Sequence, residues 1–408
     1  MQANPVQSKE RNVVIDILRG VALLGILLMN LPGFFSPAWL YSVYGIPVER
    51  TTADKAGDLM IKLFAEGKFF TVFSFLFGLG FYLFMSRAEA KGLNYNRLYF
   101  RRIAALAVFG VVHFLFGFSG DILHLYAFSG MFLMLFYKRK SKTIVTWIIS
   151  LVFVWVGLFG LAFISTPEQA QELALEGQKL IPVVGDIYEH LTYAKWISYQ
   201  LNMVVPAVTP FEPIFALAVL AMFLIGVYCG KQNWLGNLTA NKRSIRKLWI
   251  VSLCINVPFM SVLALILTKR IDFGFRHDSV ATVFVQLSGI TMSILYISSF
   301  LLLMMNPKWI VRLRPIGYVG QMALTNYIGQ TVVCLVLVVG FHLKGLGGIQ
   351  AILLCFLIYA CQVLISTLWM RKFRFGPLEW VWRSFTYLAF QPMSGKPAGS
   401  SNSSRLET

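Results

Sequence analysis

Charge is scarce in this chain. Of its 408 residues 13% are Asp, Glu, Lys or Arg, while 57% are hydrophobic. No single soluble core hides that much apolar surface, so a water-soluble globular protein is excluded. Strict apolar/polar alternation is missing too, which excludes a β-barrel; instead, continuous apolar runs of about 20 residues recur, the length of a helix crossing ~30 Å of hydrocarbon. Cysteine is scarce. Cys229, Cys254, Cys334, Cys355 and Cys361 all fall within apolar runs and have no metal-ligand spacing, so they read as packing residues without a disulfide framework. Internal repeats are absent, and an inverted-repeat transporter gains no support. The first apolar run carries Asp16 and Arg19 and offers no small-residue cleavage pattern, so it reads as a retained span.

What is present is an all-α, polytopic membrane helix bundle of about ten transmembrane helices. The spans run near Val13–Phe34, Phe69–Met85, Ile103–Phe118, Ile122–Tyr137, Thr143–Ile164, Phe211–Gly230, Leu248–Leu267, Val280–Met305, Gly317–His342 and Ile349–Met370. Acidic residues number 18 against 36 Lys and Arg, for a net charge of +18. With the N-terminus inside, 26 of the 36 basic residues face inward, so both termini are assigned to the cytoplasm. The basic balance thus serves topology and contact with anionic lipids at the cytoplasmic face. No soluble basic domain exists to bind nucleic acid. Residues 1–390 form a single transmembrane domain, 165–210 an extracytoplasmic loop and 391–408 a disordered cytoplasmic tail. That loop begins with the acidic, helical "STPEQAQELALEGQKLIP" and continues into an aromatic segment suited to the outer interface.

Ionisable groups inside these spans are costly and mark candidate functional sites. In "HFLFGFSGDILHLYA" the third and fourth spans turn at Phe118–Gly120, placing His113 and His124 at matching depth. Asp121 lies at i and i+3 from His124, on the same helix face. Histidine can act as a general base, and a carboxylate partner fixes its tautomer; capping of the fourth helix is the structural alternative for Asp121. Asn30, Lys68, Glu212 and Gln330 join these three in a polar cavity opening outward, with snorkelling and helix capping as the alternatives for Lys68 and Glu212. Toward the cytoplasm, "DILRG" pairs Asp16 with Arg19, and "MALTNYIGQ" sets Asn326 and Tyr327 near mid-membrane. "FRFGPLEWVWRSFTY" reads as an amphipathic surface helix starting near Pro377.

These segments, with "DILRGVALLGILLMN", "GKFFTVFSFLFGLGF" and "RRIAALAVFGVVHFLFGFSGDILHLYA", resemble the YeiB-like family of bacterial membrane proteins over nearly the whole chain. That family has a C-terminal region of unknown function, here about residues 230–390. The resemblance implies a multi-pass protein of the bacterial cytoplasmic membrane. The family is distantly similar to transmembrane acyltransferases, in which an arginine of the first helix is followed, after ten intervening residues, by a histidine. Arg19 matches the arginine, but Asn30 stands at the histidine position, and an amide is no general base at neutral pH.

Three readings stay open. In an acyltransferase, Arg19 binds the phosphates of an acyl-CoA-type donor, and His113, oriented by Asp121 or His124, acts on an extracytoplasmic acceptor. In a transporter or flippase of a small molecule or lipid, Asp16/Arg19, Asn326/Tyr327 and His113/Asp121 are successive stations. A metal site at His113, Asp121 and His124 is the third reading, and no metal ligand is assigned.

Overall fold

A computed structural model describes residues 12–394 apart from 47, 49, 165 and 237. The chain folds into α1 (Val13–Phe35), α2 (Thr52–Phe64), α3 (Phe69–Ala90), α4 (Tyr95–Phe116), α5 (Leu123–Leu133), α6 (Ser141–Gly160), α7 (Pro167–Glu189) and α8 (Tyr193–Tyr199). It continues with α9 (Glu212–Lys231), α10 (Lys242–Leu267), α11 (His277–Leu303), α12 (Arg314–Gln321), α13 (Ala323–Leu335), α14 (Gly348–Lys372) and α15 (Pro377–Tyr387). Among the described residues nine helical segments are long and apolar enough to cross a membrane. The fourth expected span, Ile122–Tyr137, is shorter: α5 ends at Leu133 and passes into turns. All five cysteines are free.

The outward faces identify the solvent. On α6, Ile149 and Phe153 are 64% and 78% exposed, and on α14 Leu353 and Leu357 are 66% and 63% exposed. Such contiguous apolar faces match hydrocarbon, and a helix satisfies its own backbone there. This is a multi-pass membrane protein.

The interior is held by close backbone approach. A Cβ at Gly78 would lie 1.9 Å from the Phe223 carbonyl oxygen, and one at Gly226 would lie 2.1 Å from that of Phe75. The two glycines therefore bring α3 and α9 into backbone contact, as small residues do where helices associate in lipid. Stacking of Phe77 on Phe223, 4.6 Å between ring centres, fills the seam beside them.

The ninth expected span, Gly317–His342, is broken. Helix α12 ends at Gln321 and α13 starts at Ala323, with Met322 (φ −106°, ψ 37°) between them. The freed amides are taken by Glu379 of α15: its Oε1 accepts from Leu324 N–H at 2.6 Å and Thr325 N–H at 3.1 Å. Its Oε2 accepts from the Thr325 hydroxyl at 2.6 Å. The amphipathic C-terminal helix is thereby locked onto the bundle, with Trp382 Nε1 donating to the Arg102 carbonyl at 2.8 Å. Segment 166–210 is largely helical, spanning α7, α8 and further short helical stretches. Gln391–Ser394 fold back on the bundle, Arg374 N–H donating to the Met393 carbonyl at 3.1 Å. The tail beyond Ser394, like residues 1–11, lies outside the described residues.

Candidate functional site

The site begins with the α4–α5 hairpin. The amides of Gly117 and Phe118 both donate to the His113 carbonyl, at 2.8 and 2.9 Å, ending α4 sharply. At Gly110 a Cβ would lie 2.3 Å from the His124 backbone nitrogen, so α4 and α5 touch along their backbones. Asp121 Oδ2 accepts the His124 amide at 3.0 Å and so caps α5 as well. The aromatic segment after α7 fastens the turn from outside: Tyr193 donates to the Phe116 carbonyl at 2.7 Å and Trp196 Nε1 to that of Gly117 at 3.0 Å.

These constraints aim six side chains at one another. Asp121 Oδ1 lies 2.7 Å from His113 Nδ1, and Oδ2 lies 3.1 Å from His124 Nδ1. His124 Nε2 continues to Glu212 Oε1 at 3.0 Å, and His113 Nε2 faces the Thr331 hydroxyl at 2.8 Å. The Tyr327 hydroxyl donates to Asp121 Oδ1 at 3.1 Å. The Asp121 side chain is fully enclosed, whereas Glu212 is 29% exposed. The result is a hydrogen-bonded relay from a buried imidazole to an accessible carboxylate. A buried carboxylate is tolerated only when paired and hydrogen-bonded in this way. A carboxylate only accepts, so in the neutral His113 ring the proton sits on Nδ1 facing Asp121 and the lone pair on Nε2 faces Thr331. His124 fills both of its bonds when it carries two ring protons between the two carboxylates.

Beside the relay runs a cavity of about 140 Å³. Arg19, Arg102 and Arg383 line it, together with Glu379 and Trp382. Phe73, Leu76, Phe77 and Tyr126 form apolar wall, and Ile122, Leu123 and Tyr327 bring the lining up to the relay. The Arg102 guanidinium stacks 3.9 Å from the Trp382 ring centre, and Arg19 pairs with Asp16 at 3.6 Å. Burial pushes the Glu379 carboxyl above its ordinary range, against the pull of its hydrogen bonds from Thr325 and Leu324.

Residues 229–389 match the family described as protein of unknown function (DUF418). The chain is 32% identical to the uncharacterized protein YxaH of Bacillus subtilis, covering 96% of this chain and 98% of that protein. It is 28% identical to the uncharacterized protein YeiB of Escherichia coli, over 95% of this chain and 99% of that one. The chain belongs to the DUF418 family. No solved structure matches it. The DUF418 match contains Tyr327, Thr331, Glu379 and Arg383, whereas His113, Asp121, His124 and Glu212 precede it. The relay therefore joins the matched region to the helices before it.

Of the residues singled out from the sequence, His113, Asp121, His124, Glu212 and Tyr327 come together, and Arg19 with Asp16 meets the cavity. Others fall elsewhere. Lys68 is fully buried, and its Nζ donates to the Lys62 carbonyl at 2.7 Å, tying the end of α2 to the start of α3. Asn326 donates to the Val319 carbonyl at 3.1 Å and the Ser366 hydroxyl at 3.0 Å. Gln330 donates to Gln362 at 2.9 Å, so both amides pin α13 to α14. Asn30 is half-buried and is not among the residues lining the cavity. Sequence reading missed Thr331, Arg102, Arg383 and Glu379. Among the described residues no group of three His, Cys, Asp or Glu is arranged to hold a metal ion.

Proposed function

We propose that this protein is a transmembrane acyltransferase of the bacterial cytoplasmic membrane. It takes a short acyl group from a cytoplasmic acyl-CoA-type thioester and passes it to a hydroxyl or amine on the extracytoplasmic side. The observation that carries this reading is the cavity lined by three arginines and, at the relay, by Tyr327, whose hydroxyl bonds Asp121. Guanidinium groups match phosphates in bidentate geometry, and they suit the anionic part of such a donor. The apolar wall suits its acyl arm. Volume decides the length of that arm: a cavity of about 150 Å³ holds a molecule the size of benzene, so 140 Å³ takes a few carbons and excludes a full lipid chain. His113 serves as general base, its tautomer fixed by Asp121. The basic face contacts anionic lipid headgroups, for which Lys242 and Arg246 beside Trp249 form a surface groove.

A broken helix such as α12–α13 is also the kind of element that transporters use to bind cargo. Here its freed amides are already bonded to Glu379, which weighs against that role. Purified protein in lipid nanodiscs, supplied with labelled acetyl-CoA, tests the proposal. Thioester consumption should occur and should collapse in His113→Ala. Absence of donor binding, or full turnover by His113→Ala, would remove the enzyme reading. Uptake of a solute into proteoliposomes without any thioester would replace it with transport.

A further inference from the structure

The Thr331 hydroxyl sits where a nucleophile sits in a hydroxyl–imidazole–carboxylate triad. His113 Nε2 is 2.8 Å from Thr331 Oγ1, and His113 Nδ1 is 2.7 Å from Asp121 Oδ1. Such a constellation is recognised by geometry and by roles, whatever the fold or chain order. The base is held in the tautomer whose lone pair meets the hydroxyl. Thr331 also has position: it follows Tyr327 by four residues on α13, on the same helix face one turn onward from the cavity wall. Gly117 stands beside it. A Cβ at Gly117 would come within 3.2 Å of Thr331 Cγ2 and 3.0 Å of His113 Cδ2, so a side chain there would crowd the pair.

We propose that Thr331 is the nucleophile of the transfer and carries the acyl group as a transient ester between the donor and acceptor sides. The proposal rests on the acyltransferase reading and deepens it. In the first half-reaction the Thr331 oxygen adds to the thioester carbonyl carbon while its proton passes to His113 Nε2. The tetrahedral adduct collapses by breaking the C–S bond, and the His113 proton goes to the departing sulfur, releasing a thiol. In the second half an acceptor hydroxyl or amine gives its proton to His113 and attacks the ester carbonyl. The C–O bond to Thr331 breaks, and the threonine oxygen recovers the proton. Thioester and acceptor become acylated acceptor and thiol, with no net proton or electron. A covalent carrier suits a transfer whose donor and acceptor enter from opposite faces, since the two never need to meet.

Incubation of the detergent-purified full chain with acetyl-CoA and no acceptor, followed by acid quench and peptide mass mapping, tests this. The expected result is one acetyl on the peptide containing Thr331, removed by hydroxylamine. Thr331→Ser should still be labelled, which shows that the fold accepts substitution there. Thr331→Val and His113→Ala should show neither label nor turnover, a loss of about 100-fold or more in rate. Wild-type turnover in Thr331→Val, or an acetyl on another residue, overturns the carrier role and leaves the acyltransferase standing. No thioester consumption by the wild type overturns both.

Discussion

Tyr327 belongs to two structures at once: its side chain lines the cavity, and its hydroxyl donates to Asp121 Oδ1 at 3.1 Å. It thereby couples the space assigned to the donor to the carboxylate that orients His113. Tyr327→Phe keeps the ring and removes the coupling. The loss of a hydrogen bond to a charged group is worth about 1.5–3 kcal/mol, or roughly 10- to 100-fold in rate if it acts in the transition state. The expected outcome is a fall in kcat of that order with little change in KM for acetyl-CoA. A change confined to KM would show that Tyr327 only shapes the cavity.

Arg102 should recognise the phosphates of the donor and not its acyl arm. Its planar guanidinium is pre-placed by stacking on Trp382 at 3.9 Å, and a lysine in its place keeps the charge but loses the fork. Arg102→Lys should raise KM for acetyl-CoA by about tenfold, the cost of one charge-assisted contact. KM for acetyl-pantetheine, which lacks the nucleotide phosphates, should not change. Equal effects on both substrates would place Arg102 in the fold alone.

Membrane packing makes a separate prediction. Gly78 faces the Phe223 carbonyl oxygen with no room for a Cβ, whereas nothing lies within 4 Å of one at Gly157. Gly78→Ala should therefore force α3 from α9 and lower the thermal midpoint in detergent, with a loss of about 1–3 kcal/mol or failure to fold. Gly157→Ala, inside α6 and with open space around it, should not lower the midpoint.

Much of this arrangement was legible in the chain because it is local. His113, Asp121 and His124 lie within one hairpin, so the turn at Phe118–Gly120 and helix periodicity together bring them to one depth. Thr331 and Arg102 were not legible, for a physical reason. Thr331 is one more β-branched residue in an apolar run until folding carries it 218 positions to His113. Arg102 counts toward the inward charge until Trp382, 280 positions away, donates to its carbonyl. Glu379 looked like one polar residue of a surface helix, since nothing in the sequence marks the break at Met322 that it caps. Lys68, a candidate for the polar cavity with an interface anchor as its alternative, is fully buried, bonded to the Lys62 carbonyl, and does not line the cavity.

The Glu379 cap ties stability to pH, and the sign follows from its cause. Burial favours the uncharged carboxyl, so the folded value lies above the unfolded one. The folded protein then binds more protons than the unfolded chain in the interval between the two values. The stabilisation it contributes is complete below the ordinary carboxylate range and is lost as pH rises through the folded value. Glu379→Gln stays neutral and can still accept from Leu324 and Thr325 through its amide oxygen. The difference in thermal midpoint, wild type minus Glu379→Gln, should therefore decline as pH rises from acid toward neutrality and then level off. A difference that grew with pH would mean that the amides of Leu324 and Thr325 outweigh burial and hold Glu379 as a carboxylate.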